Sequence, residues 1–247
     1  MQTLQGRTAV MTGASGHVGA GAVRALTAGG MNVAMITHNL QDARALVEEL
    51  RGSPGQCVAV SNEKGDAAAL DEIYERFGSL DVVIPNQGGP VQPRPLADIT
   101  EEELLHTLRH QIAISFAMVQ KAAPYLEKSR AGRVILIASS GARTGLSAEG
   151  LCDCVARGGV ISMTYALAGM LAGKGVTVNC IARSGLENDH PPRLPGELDT
   201  AGLAGRIPLG RNGTPAEFGA SVAYLASEEA GFLTGQIVNL CGGLYMG

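Results

Sequence analysis

The chain has 247 residues, 45% of them hydrophobic and 17% charged, which excludes a disordered polymer and suits one well-buried α/β domain. With 19 basic against 23 acidic residues, a formal charge of −4, no Trp and 4% aromatics, it has neither a basic stripe nor a stacking platform for nucleic acid, so small molecules are the expected partners. Cys57, Cys152, Cys154, Cys180 and Cys241 show no metal-ligand spacing and read as free thiols; with no signal-like leader and no apolar run of about 18 residues, a cytoplasmic, non-membrane protein is expected.

The stretch Thr8 to Gly19, TAVMTGASGHVG, joins a short apolar strand to a glycine-spaced turn that opens a helix over about Val18 to Ala28. Gly13 serves a tight turn, Gly16 a close approach of backbone to phosphate, and Gly19 close packing of helix on strand. The helix points its free N–H groups at the anion. This spacing predicts a dinucleotide pyrophosphate site formed by Gly13, Ser15, Gly16, His17, Val18 and Gly19.

Further along, MNVAMIT at Met31 to Thr37 reads as a buried strand and Leu40 to Leu50 as a helix. Gln56 to Val60 is a strand, Asp66 to Phe77 a helix, Leu80 to Ile84 a strand and Glu101 to Tyr125 one long helix. Arg133 to Ala138 is a strand, Cys154 to Gly173 a helix rich in small residues, Val176 to Ala182 a strand, Pro215 to Ser227 a helix and Gln236 to Leu240 a last strand. Apolar strands alternating with helices predict a doubly wound, Rossmann-like parallel sheet covered on both faces, one domain over residues 1–247. Two stretches break the rhythm. Gly88 to Pro95 follows the fourth strand at the sheet's ligand-binding edge, and Gly185 to Gly205, with Pro191, Pro192 and Pro195, reads either as a substrate loop or as an idle surface excursion.

Three segments bear a resemblance to one family: FGSLDVVI at Phe77 to Ile84, VTVNCIA at Val176 to Ala182, and RIPLGRNGTPAEFGASVAYLASEEAGFLTGQIVNLCGG at Arg206 to Gly243. Over essentially its whole length the chain resembles a short-chain dehydrogenase/reductase. The resemblance implies a nicotinamide cofactor, a catalytic Ser, and a Tyr and Lys four residues apart on the following helix. IASSG supplies Ser139 and Ser140, of which Ser140 has the family separation. The Tyr position then falls on Asp153, the Lys position on Arg157 and the relay Asn on Gln111. The family's NNAG becomes Pro85-Asn86-Gln87-Gly88, so Asn86 and Gly88 are carried over as cofactor contacts; its Pro-Gly becomes Arg183-Ser184.

These replacements change the chemistry. A free Asp titrates near about 4 and a Tyr near about 10, so Asp153 suits a base better than an acid, and its carboxylate stops about 3 Å short of a Tyr hydroxyl. Asp153 and Arg157 share one helical face, which suits either a plain intrahelical ion pair or a rebuilt site in which Arg157 holds a ribose hydroxyl or an anionic substrate. His17 reads either as a phosphate donor or as a solvent-facing residue. His106 and His110 read as helix-surface residues, Tyr165, Cys152 and Cys154 as packing residues, and Glu187, Asp189 and His190 as groups able to close over a substrate. At the end of the second strand neither the acid that grips NAD nor an Arg for NADP is present; His38 tilts the expectation toward NADP.

The expected function is a nicotinamide-dependent oxidoreductase acting on a hydroxyl or carbonyl of a polar or anionic small molecule through Ser140, Asp153, Arg157 and Gln111. The alternatives are a non-catalytic cofactor-binding subunit and, because Arg157 resembles part of the site of halohydrin dehalogenases, a cofactor-independent lyase. No metal site is expected. The resemblance also implies a homodimer or homotetramer built through the two long helices.

Overall fold

Seven parallel strands in the order β3-β2-β1-β4-β5-β6-β7 form the centre of the molecule, seen in a computed structural model that describes residues 4–63, 65–88, 94–145, 150–187 and 204–247. The strands are β1 Thr8–Thr12, β2 Asn32–Thr37, β3 Cys57–Ser61, β4 Val82–Ile84, β5 Arg133–Ser139, β6 Thr177–Arg183 and β7 Ile237–Leu240. The helices are α1 His17–Ala28, α2 Leu40–Glu49, α3 Ala69–Phe77, α4 Glu101–Leu108, α5 Ile114–Leu126, α6 Gly141–Thr144, α7 Leu151–Leu171 and α8 Pro215–Ala226.

The inner strands β1 and β4 are buried at every residue, as strands covered on both faces must be, while the edge strand β3 alternates between buried and half-buried positions. Alternate residues of each strand feed opposite layers. Met11, Met35 and Ile84 pack with α1 and α8, and Val10, Ile36 and Val83 pack with residues of α3, α5 and α7. The first of these layers closes through two glycines. A Cβ on Gly21 would lie 2.1 Å from the Pro215 carbonyl oxygen, and one on Gly219 would lie 2.3 Å from that of Gly21, so α1 and α8 cross in direct backbone contact.

The expected doubly wound sheet is therefore present, and two sequence boundaries move. The single helix expected over Glu101 to Tyr125 is broken: α4 and α5 are separated by a π-helical turn at Arg109–Ala113. Ser115 Oγ donates to the Gln111 carbonyl at 2.7 Å, giving that carbonyl a side-chain partner at the bulge. The helix expected from Cys154 starts at Leu151, which brings Asp153 into its first turn, where the helix dipole favours a carboxylate. By length and composition α7 and the turn after it could cross a membrane, but α7 packs on the sheet and contributes Val160, Leu167 and Leu171 to the core. Of the expected substrate loop, residues 188–203 lie outside the described residues, as do 89–93 of the Gly88 to Pro95 segment.

Candidate active site

The strand order reverses between β1 and β4, and the segments leaving their carboxyl ends meet there. Gly13 adopts a φ of +57°, and a Cβ on it would lie 2.2 Å from the Asn86 carbonyl oxygen. Asn86 braces the two segments, its amide donating to Thr12 Oγ1 at 3.0 Å and its Nδ2 to the Gly13 carbonyl at 3.2 Å. At Gly19 a Cβ would lie 2.2 Å from the same carbonyl, so loop and helix are pressed together.

Gly16 is different, since a Cβ there would meet only the Gly13 carbonyl oxygen, at 3.8 Å. Gly16 caps α1 with extended backbone and no side-chain bond, leaving the first N–H groups of the helix aimed at open space. Exposed Gly16 and His17, half-buried Ser15 and buried Val18 make up the turn. Its donors and the room left at Gly16 fit a dinucleotide pyrophosphate.

At the end of β2 the neighbours of His38 are locally engaged: Thr37 Oγ1 accepts from the Asn39 amide at 3.0 Å, and Asn39 Oδ1 caps α2. His38 itself is exposed. A polar network missed by the sequence reading lies nearby, where Asp66 accepts from Asn62 Nδ2 at 3.0 Å and from Gln87 Nε2 at 2.7 Å. No pattern in the sequence links these three residues; only the ends of β3 and β4 bring them together.

Ser140 follows β5, its amide donating to the Arg183 carbonyl at 2.8 Å. It opens α6 without a side-chain cap bond, whereas the Ser139 hydroxyl accepts from the Gly141 amide at 3.0 Å. Of the two serines, Ser139 thus spends its hydroxyl on the turn. Asp153 and Arg157 pair across one turn of α7, Arg157 Nε donating to Asp153 Oδ1 at 3.1 Å. Gln111 Nε2 donates to the same oxygen at 2.9 Å, and Arg157 Nη1 donates to the Ile137 carbonyl at 2.9 Å. The structure therefore brings together three of the four expected catalytic residues.

Burial decides what this cluster can touch. Asp153 is 0% exposed, Gln111 1% and Arg157 6%, so the carboxylate is sealed beneath its partners. A cavity of about 1630 Å³ runs beside α4, bordered by His38, Arg94, His106, His110, Gln111 and Cys152. Neither Asp153 nor Arg157 lies on its described wall. His110 departs from the surface role expected of it: it is half-buried, and its Nδ1 is enclosed without a hydrogen-bond partner. Burial, followed by neighbouring His106, lowers its pKa below the ordinary histidine value. Tyr165, expected as a packing residue, is 53% exposed. Glu187 is exposed, and the other two loop groups, Asp189 and His190, lie outside the described residues.

A family model described as enoyl-(acyl carrier protein) reductase matches residues 13–245. The 3-oxoacyl-(acyl-carrier-protein) reductase FabG of Staphylococcus aureus is 32% identical, with 97% of this chain and 98% of the relative covered. L-fucose dehydrogenase of Oryctolagus cuniculus is 33% identical, with 98% and 86% covered. A solved structure from Sinorhizobium meliloti 1021, described as a short-chain alcohol dehydrogenase, superposes with a TM-score of 0.89 over 97% of this chain and 96% of that one; at 22% identity it shares the fold. With the phosphate cradle, the sheet order and these whole-length matches together, the chain belongs to the short-chain dehydrogenase/reductase family.

Proposed function

We propose that this protein is a nicotinamide-dependent oxidoreductase acting on a hydroxyl or carbonyl group of a polar small molecule. The observation that carries the reading is the intact cradle, closed by Gly13 and Gly19 and open at Gly16, in a chain whose relatives include reductases and a sugar dehydrogenase. A bound nicotinamide would supply a hydride acceptor or donor. Gly13, Ser15, Gly16, His17, Val18 and Gly19 would hold its pyrophosphate, with Asn86 and Gly88 at the neighbouring strand end. His38 favours NADP over NAD.

Ser140 takes the family's place for polarising the substrate oxygen, and its hydroxyl is free of the capping duty that Ser139 performs, but at 2% exposed it is as enclosed as Gln111. Asp153, Gln111 and Arg157 form a separate buried cluster on α7 and the π-helical turn. The bonds of Arg157, Nε to Asp153 and Nη1 to Ile137, support a positioning role for it, while Gln111 Oε1 is enclosed without a partner. The same feature favours a second reading, a cofactor-binding subunit without turnover, because a sealed ion pair cannot contact substrate. The open cradle weighs against a cofactor-independent lyase. Exposed Leu105, Phe116, Val155 and Met170 on α4, α5 and α7 support a homodimer or homotetramer, and a cytoplasmic location accompanies this reading.

The test is a titration of NADH and NADPH followed by nicotinamide fluorescence, with NAD and NADP as competitors, and then a turnover screen over sugars, sugar acids and simple alcohols and carbonyls. Binding with turnover is expected. Binding without turnover selects the second reading, and failure to bind any of the four dismisses both.

A further inference from the structure

We propose that Arg143 is a positioning residue for Ser140: laid on the ring of Tyr245 and bonded to Gly247, its guanidinium fastens the one-turn helix α6 to the segment after β7. The proposal rests on the oxidoreductase reading above, in which Ser140 meets the substrate oxygen. Little of Ser140 reaches the surface, 2%, yet its hydroxyl makes no hydrogen bond among the described residues and, unlike Gln111 Oε1, is not fully enclosed. A group with so small a window acts only when the backbone beneath it is held in place.

Helix α6 cannot hold itself. It spans only Gly141–Thr144, too short to be stable without tertiary support, opens without a side-chain cap and stops at Gly145 with a φ of +71°. Contacts from outside fix it. At its start the Ser140 amide donates to the Arg183 carbonyl at 2.8 Å, and from α7 Cys154 Sγ donates to the Gly141 carbonyl at 3.4 Å. At its far end the Arg143 guanidinium carbon lies 4.9 Å from the centroid of the Tyr245 ring, and Nη1 donates to the Gly247 carbonyl at 3.3 Å. The amides of Arg143 and Thr144 each donate to the Ser140 carbonyl at 3.0 Å, so a displacement of Arg143 is passed one turn back to Ser140.

The segment that Arg143 grips is itself anchored. Gly242 and Gly243 turn the chain with φ of +58° and +91°, and a Cβ on Gly242 would lie 2.5 Å from Ile207 Cγ2. The Gly242 carbonyl accepts from the Leu209 amide at 3.1 Å, and the Tyr245 amide donates to buried Cys241 Sγ at 3.4 Å. Asn239 Nδ2 on β7 donates to the same Gly247 carbonyl at 3.0 Å. The planar guanidinium does two things there, covering the ring with its face and reaching Gly247 with its edge. Arg143 Nε is enclosed without a partner, so this placement costs a desolvated donor that an outward-pointing side chain would have left in water.

The test combines steady-state oxidation of whichever sugar or alcohol the screen above turns over with hydrogen exchange of the peptide spanning Ser140–Gly145, read by mass spectrometry. Arg143→Met and Tyr245→Leu should each lower kcat by roughly 10- to 100-fold, with KM and NADPH affinity within about twofold. The double variant should fall no further than the slower single one. Tyr245→Phe, which keeps the ring, should recover most of the Tyr245→Leu loss, and Arg143→Lys part of the Arg143→Met loss. With the same compound deuterated at the carbinol carbon, Arg143→Met should show an isotope effect on kcat at least as large as the wild type, because the slowed step is hydride transfer. In Arg143→Met the α6 peptide should exchange about 5-fold faster or more while peptides of α1 stay unchanged, which separates local loosening from global destabilisation. A kcat within about twofold of wild type for Arg143→Met, additive losses in the double variant, or unchanged α6 exchange overturns the assignment. If the wild type turns over and Arg143→Met does so equally, Arg143 alone is dismissed; if the wild type binds cofactor but turns over nothing, the oxidoreductase reading falls and the positioning role falls with it.

Discussion

Asp153→Asn removes one charge from a pair that is almost fully buried, and its cost can be worked from the surroundings. The carboxylate is 0% exposed and the guanidinium 6%. The substitution retains a side-chain oxygen that can still accept from Gln111, but it leaves the Arg157 charge enclosed without its 3.1 Å counter-ion. Breaking a buried pair on one side costs about 3–5 kcal/mol, whereas removing both charges together is often close to neutral. At this chain length about 1 kcal/mol moves Tm by roughly 2–4 °C, so Asp153→Asn should lower Tm by roughly 6–20 °C. Asp153→Leu with Arg157→Met should recover most of the loss. The chain has no Trp, so far-UV circular dichroism is the suitable probe of urea unfolding, and protomer concentration must be held fixed for an oligomer. A double-mutant cycle over the wild type, Asp153→Leu, Arg157→Met and the double variant gives the coupling energy. A loss below about 1 kcal/mol for Asp153→Asn, with no coupling to Arg157→Met, is the behaviour of a solvent-exposed pair and would refute both the burial of the cluster and the positioning role given to it.

Other substitutions separate the roles of neighbouring residues. Gly16→Ala should leave folding stability within about 0.5 kcal/mol, because its Cβ meets only one atom at 3.8 Å, yet weaken NADPH binding by roughly 10-fold or more because the added methyl stands where the phosphate approaches the backbone; Gly13→Ala, at φ +57° and 2.2 Å from a carbonyl, should lose both, as thermal melts paired with fluorescence titration will reveal. Gly219→Ala forces α1 and α8 apart and should cost about 1–3 kcal/mol of overpacking in urea unfolding. Glu217 is held down to about 2 by the Arg211 fork, and secondarily by the Thr214 amide, from an ordinary value of 4.5. Its folded value lies below its unfolded one, so the stabilisation is complete above about 4.5 and fades as pH falls toward 2. The stability gap between the wild type and Glu217→Gln should close across that window, and a gap that stays constant with pH would remove the ion pair as its cause.

The glycine turn between β1 and α1 was legible in the linear chain because its requirements are largely local. Gly13, Gly16 and Gly19 stand in fixed steps between a strand and a helix, and the space at Gly16 and Gly19 follows from that short stretch, whereas Gly13 is closed by Asn86 after β4. Strand and helix alternation likewise announced the doubly wound sheet, since burial on both faces demands continuous apolar strands. The active site was legible only by position, with Ser140, Gln111, Asp153 and Arg157 placed by counting. Their accessibility was hidden, because the exposure of a side chain depends on what the rest of the fold lays over it. A π-helical turn within what reads as one continuous helix set Gln111 against Asp153 and stood His110 on the cavity wall, and neither outcome has a periodic signature. The α1–α8 crossing was hidden for the same reason, since Gly21 and Gly219 are 198 positions apart and meet only when both helices pack on one face of the sheet. Spacing along the chain thus determined the sheet and the glycine turn. Three-dimensional packing decided which ionisable groups are sealed away and which border the cavity, because solvent exclusion is a property of surfaces that only the folded chain brings together.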